Sequence, residues 1–222
     1  MAFGGSLTDF AALANAITVV VLVIVGLFTA APGGGQNAKH WFPWHPVLMT
    51  IAFPALMSLG RFTFLTNEVR SMETRRKDHR LIMVVATVAM LFGYLCIFMA
   101  HLPKRRFFGY DFNTRQWGDY RRVAHAWLGY LLIFMVLAQS CTGIRKLSFL
   151  QAGKRILVSH GNFGKTIIVL AGFNMLLAIR FWGWRNDYKV GMYIVTVLSV
   201  CFGVIWPRPE TKDGEDDKLL PG

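Results

Sequence analysis

Six long apolar runs, near residues 10–31, 44–66, 79–101, 123–145, 156–179 and 189–207, set the terms on which this chain can fold. As helices rising 1.5 Å per residue, they are long enough to cross a hydrocarbon layer about 30 Å thick, the last with least to spare. Backbone inside such a layer must satisfy its own hydrogen bonds, which selects helices. The apolar residues, 54% of the chain, come in blocks rather than periodic stripes, which excludes an ordinary soluble domain. The expectation is an all-α, polytopic membrane protein with six transmembrane helices over residues 1–207 and a disordered polar tail at 208–222. The first run has no Lys or Arg before it and no small-residue cleavage site after it, so it reads as a retained helix rather than a signal peptide. Cys96, Cys141 and Cys201 fall inside apolar runs without paired spacing and read as small packing residues.

The net charge of +12 sits in short loops between spans and leaves no soluble domain on which a nucleic acid could bind. Six spans put both termini on one side. The loops on the other side carry Trp41, Trp44, Trp117, Trp182 and Trp184, as an interfacial aromatic belt does. Of the Lys and Arg residues, 13 fall on the terminal side and 10 on the far side, a weak positive-inside bias that places the termini in the cytosol. The tail run Glu215 to Leu220 has the form of an acidic dileucine sorting signal, which points to an endomembrane such as a vesicle, lysosome or vacuole.

Four of the six histidines, His45, His79, His125 and His160, stand at or near the starts of spans two to five, one per helix. Their contexts repeat in pairs: His45 and His79 are each followed four residues later by Met49 and Met83, and His125 and His160 by Gly129 and Gly164. The fourth residue on lies on the histidine's own helix face. Because consecutive spans alternate in direction, His45 and His125 fall at the far-side face and His79 and His160 at the cytosolic face. Two such pairs suit two b-type haems, each ligated above and below its ring in the core of an inner four-helix bundle. Gly129 and Gly164 would let a flat macrocycle approach the backbone. A structural zinc site needs its ligands to converge, which histidines at opposite faces cannot do. No CxxCH is present, so the haem would be held without covalent attachment. Pro46, in the first helical turn, costs no hydrogen bond.

The segment from His45 to Met57, HPVLMTIAFPALM, together with the order of the four histidines, resembles the cytochrome b561 family, especially its tumour-suppressor-type ferric reductase branch. The resemblance runs over roughly residues 10–207. It implies six helices with two haems b in the inner four, ligated by His45 with His125 and by His79 with His160. It further implies that cytosolic ascorbate is the electron donor and that the acceptor is monodehydroascorbate or a ferric chelate.

On the cytosolic side, Arg70 and Lys77 precede His79, and Lys154 with Arg155 precede His160, forming a basic cluster for anionic ascorbate. On the far side, His101 follows His79 by 22 residues, about 33 Å along a helix. With Arg105 and Arg106 it is the expected contact for the acceptor. Arg61 and Lys165, inside apolar spans, are expected to snorkel or to pair with haem propionates. The aromatic-rich segment 102–122 reads as a lid over the outer pocket. The sequence leaves open a homodimer, and also a reading as the dihaem anchor subunit of a quinone-linked respiratory complex or as a haem-free scaffold.

Overall fold

The computed structural model describes residues 7–29, 35–63, 71–154, 156–157 and 159–205. Arg70, Arg155 and the tail 208–222 with its dileucine run lie outside the described residues. The chain is helical as expected: α1 (Leu7–Phe28), α2 (Trp44–Thr50), a π-helical stretch (Ile51–Met57) continuing into α3 (Ser58–Phe62), α4 (Met72–His101), α5 (Tyr120–Gln151), α6 (His160–Phe181) and α7 (Asn186–Val204).

Five helices, α1, α4, α5, α6 and α7, are long and apolar enough to cross a membrane. The second span follows the same course but is not one α-helix. Pro54 lies inside it, where its missing N–H and its ring break the i to i−4 ladder, and the backbone answers with wide π turns over Ile51–Met57. The extra residue per turn resets the helix face, so that His45 at one end and Gly60 at the other both address α4.

The spans lie close to the expected bounds, with two instructive differences. Ser71 caps α4 by accepting from the amide of Thr74, so α4 begins seven residues before His79. His79 therefore stands two turns inside its helix rather than at its mouth. Similarly, α5 runs on to Gln151 and carries Lys146 within the helix.

Two apolar layers hold the bundle. One joins the second span, α4, α5 and α6 through Ala52, Phe53, Met57, Ala86, Met90, Leu132, Met135, Val136, Ile167 and Ala171. The other lays α1 and α7 against the second span through Ala16, Val19, Val23, Leu27, Phe62, Met192 and Phe202. Small residues at contact points, with Ala52 and Ala86 fully buried, let backbones approach closely, which in lipid matters more than hydrophobicity. Leu81, Val84, Val88, Leu91 and Leu95 of α4 face outward, as a lipid-facing surface requires.

Between α4 and α5 the chain forms a short 3₁₀ turn (Leu102–Lys104) and a three-stranded antiparallel meander, β1 (Arg106–Phe107), β2 (Tyr110–Asp111) and β3 (Gln116–Trp117). The long segment read as a lid is thus an ordered loop.

Candidate haem sites

His45 and His125 face each other across one end of the bundle, with ring centroids 6.4 Å apart and planes at 86°. Each ring is oriented from behind. His45 Nδ1–H donates to the carbonyl of Gly93 on α4 at 3.0 Å, and His125 Nδ1–H to the carbonyl of Asn174 on α6 at 3.1 Å. A proton on Nδ1 puts the lone pair on Nε2, the atom a metal needs.

The separation fits a shared metal. Two metal–imidazole bonds of about 2.0 Å, with roughly 1.2 Å from each nitrogen to its ring centre, would hold the centroids about 6.3 Å apart. Phe181 closes one side, 5.6 Å from the His125 ring.

His79 and His160, at the opposite end of the bundle, repeat the pattern with one variation. His79 Nδ1–H donates to the carbonyl of Gly60 at 2.8 Å. His160 Nδ1 lies 3.3 Å from the hydroxyl of Thr142, whose own proton goes to the carbonyl of Gln139 at 2.9 Å. The hydroxyl oxygen is therefore an acceptor, and His160 also carries its proton on Nδ1. Gln139 Nε2 donates back to the His160 carbonyl at 2.7 Å, fixing the start of α6. His79 and His160 are close enough for their charges to interact.

The residues four positions after the ligands meet the partner helix at its bonding point. A side-chain carbon added at Gly93 would lie 3.4 Å from Met49 Cε, and one at Gly60 would lie 2.9 Å from Met83 Cε. A carbon added at Gly129 would meet Asn174 Nδ2 at 3.6 Å, and one at Gly164 would meet Gln139 Nε2 at 3.1 Å. Gly129 and Gly164 thus sit against the α5/α6 contact beside their ligands. Gly143 is closer to a ligand than either, since an added carbon would reach His160 Cε1 at 3.2 Å.

The predicted substrate residues fall at the two ends. His101 ends α4 near Lys104 and Arg106 and within charge range of His45. Arg105 adopts a left-handed conformation after the 3₁₀ turn and is exposed. Arg106 pairs with Asp111 at 2.7 Å, which commits it to holding the loop. At the other end Lys77 pairs with Glu73 at 2.7 Å on an exposed helix face, and Lys154 is exposed just beyond α5. Lys146 was missed as a site residue. It interacts electrostatically with both His79 and His160, and Arg61 does so with His79. Lys146 lies past the end of the apolar run, and only the extension of α5 to Gln151 puts it on the helix, one turn after Thr142.

Among the described residues no group of three or more His, Cys, Asp or Glu converges as a metal cluster. His45 and His125 face each other at one end of the bundle, and His79 and His160 lie within electrostatic range of each other at the other, with the Met-rich layer between. No curated protein matches the chain. The profile of eukaryotic cytochrome b561 matches residues 44–184, which contain all four histidines. The chain belongs to the cytochrome b561 family, whose members transfer electrons across a membrane on haem b.

Proposed function

We propose that the protein carries two haems b, one held by His45 and His125 and the other by His79 and His160, and passes single electrons from cytosolic ascorbate to monodehydroascorbate or a ferric chelate on the far side. The observation that carries this reading is the His45–His125 geometry, with centroids 6.4 Å apart and both Nδ1 atoms bonded outward. When bound, the haems supply one-electron chemistry at an iron held in a low-dielectric interior.

The chain's own residues do the rest. The backbone carbonyls of Gly93, Asn174 and Gly60 and the Thr142 hydroxyl hold each imidazole in one tautomer. Gly93 follows His79 by fourteen residues on α4, so the two sites are about 21 Å apart along the helix axis. Ala86 and Met90, between them, are fully buried and keep water out of that stretch. At the cytosolic end Lys77, Lys154 and Lys146 make an electropositive approach for the ascorbate anion, and the sequence adds the charges of Arg70 and Arg155 nearby in the chain. At the far end His101 and Arg105 offer a proton-exchanging ring and a cation to the acceptor. Gly129 and Gly164 allow close packing beside the ligands.

The ferric-reductase branch is the reading we favour for the acceptor, with the termini in the cytosol of an endomembrane compartment. The family match does not favour an anchor subunit of a quinone-linked complex. Ascorbate added to the purified protein tests the proposal: a b-type spectrum is reduced without any partner subunit. A spectrum that needs a quinol and a partner for reduction contradicts it.

A further inference from the structure

The meander between α4 and α5 carries a feature with no part in the haem sites. An open cleft of about 290 Å³ is lined by Phe108, Tyr110, Phe112, Trp117 and Trp127. One wall is Phe108 against Trp127, with centroids 5.7 Å apart. The other is Tyr110 with Phe112 at 5.0 Å and Trp117 at 5.1 Å. Phe108 is held at φ 58°, a conformation uncommon for a bulky residue, in the β1–β2 turn before Gly109 at φ 79°. A side-chain carbon at Gly109 would lie 2.8 Å from Val123 Cγ2, so the turn is pressed onto α5.

We propose that this aromatic cage binds the choline headgroup of a membrane phospholipid. Five aromatic side chains line the cleft, and the electron-rich faces of such rings attract a cation. A primary ammonium entering such walls would give up hydrogen bonds to water with little in return, whereas a quaternary ammonium has no N–H to satisfy and a methyl surface to bury. The cage therefore selects trimethylammonium over lysine-like or ethanolamine-like groups. Its position selects the source. Trp127 stands in the second turn of α5 and is 53% exposed, so the cleft opens beside the first turns of a membrane-spanning helix, where such helices carry aromatic residues at headgroup level. A choline lipid also carries a phosphate. Lys104, Arg105 and Arg115 are exposed in the same loop and, among the described residues, pair with no carboxylate, unlike Arg106 and Arg121.

Saturation-transfer NMR on the full chain in phosphatidylglycerol nanodiscs, with phosphocholine and phosphoethanolamine as soluble probes, tests the assignment. The N-methyl protons of phosphocholine receive saturation, and phosphoethanolamine receives at least about tenfold less. Trp117→Ala with Trp127→Ala removes the transfer, and Phe at both positions retains part of it. Nanodiscs of phosphatidylcholine suppress the probe signal, because lipid already fills the cage. Equal transfer to both probes, or transfer unchanged in the double variant, overturns the cage. Transfer undiminished in phosphatidylcholine overturns the lipid as its occupant. Circular dichroism checks that the variants fold; if the alanine pair does not, Tyr110→Leu serves, with the same outcomes deciding. None of these readouts depends on haem.

Discussion

His45 donates its Nδ1 proton to Gly93 at 3.0 Å, and the helix that accepts it returns the same bond from His79 to Gly60 at 2.8 Å. The two contacts are reciprocal: each helix contributes a ligand at one end and a glycine carbonyl at the other, with a methionine four residues after each ligand lying over the partner's glycine. An antiparallel pair of helices with matching spacings produces this arrangement. The second pair, α5 and α6, repeats it with Asn174 and Thr142 as acceptors.

Glycine at position 60 is the more demanding of the two. A side-chain carbon there would stand 3.0 Å from Ile82 Cγ2 as well as 2.9 Å from Met83 Cε, and a β-branched side chain has little freedom to yield. At Gly93 the nearest atom is Leu48 Cβ at 3.2 Å. Gly60→Ala is expected to destabilise by about 1–3 kcal/mol, as overpacking does, and to lower haem occupancy at His79 and His160 first. Gly93→Ala has a smaller effect, confined to the other site. Haem content and thermal melting measure both.

Asn174 gives its main-chain carbonyl to His125, and its buried side-chain amide lies beside the same ring. Asn174→Leu keeps the backbone bond and removes the amide dipole. The negative end of a dipole beside a ligand favours the oxidised iron, so its removal raises the midpoint potential of the His45/His125 haem and leaves the other unchanged. Spectroelectrochemical titration reads the shift; no shift removes Asn174 from the tuning of that site.

Lys146 acts in the opposite sense at the other end. A cation near His79 and His160 favours the reduced state, so Lys146→Met lowers that haem's midpoint potential. Screening at a partly exposed site keeps the change to a few tens of mV. The same variant weakens ascorbate binding, seen as a raised half-saturating concentration that salt reproduces in the wild type.

The outer loop carries its own acid sensitivity. Hydrogen bonding to the Arg121 side chain lowers the Asp119 carboxyl to about 2, and the Thr114 amide and Arg106 hold Asp111 below its ordinary value. Groups depressed on folding contribute stability that is fully present above their unfolded value of about 3.9 and is lost as pH falls through the folded value. The loop is therefore indifferent to pH between 7 and 5 and loosens below about pH 4. Hydrogen exchange of residues 106–117 across that range checks this, and Asp119→Asn reduces the acid response.

The helical course of the spans was legible in the sequence because it rests on regular spacing, and the same spacing is what suggests the two histidine pairs. Apolar runs of membrane length admit only helices, and alternating direction sorts His45, His79, His125 and His160 by depth. What sets the ring tautomers was not legible, since Gly93, Gly60, Asn174 and Thr142 bond through helix packing that no local pattern encodes. The π-helical stretch was foreshadowed by Pro54, although a proline in a span predicts a break without predicting its form. Lys146 was obscured because α5 extends past the apolar run by a turn and a half, so a helical residue read as loop.

The most direct test of the account compares single ligand variants in purified protein, counting haem and recording the ascorbate-reduced spectrum. His45→Ala and His125→Ala are expected to lose the same haem, His79→Ala and His160→Ala the other, with the remaining spectral component intact in each case. Loss of one and the same component in His45→Ala and His160→Ala would contradict the pairing, and with it the proposed path across the membrane.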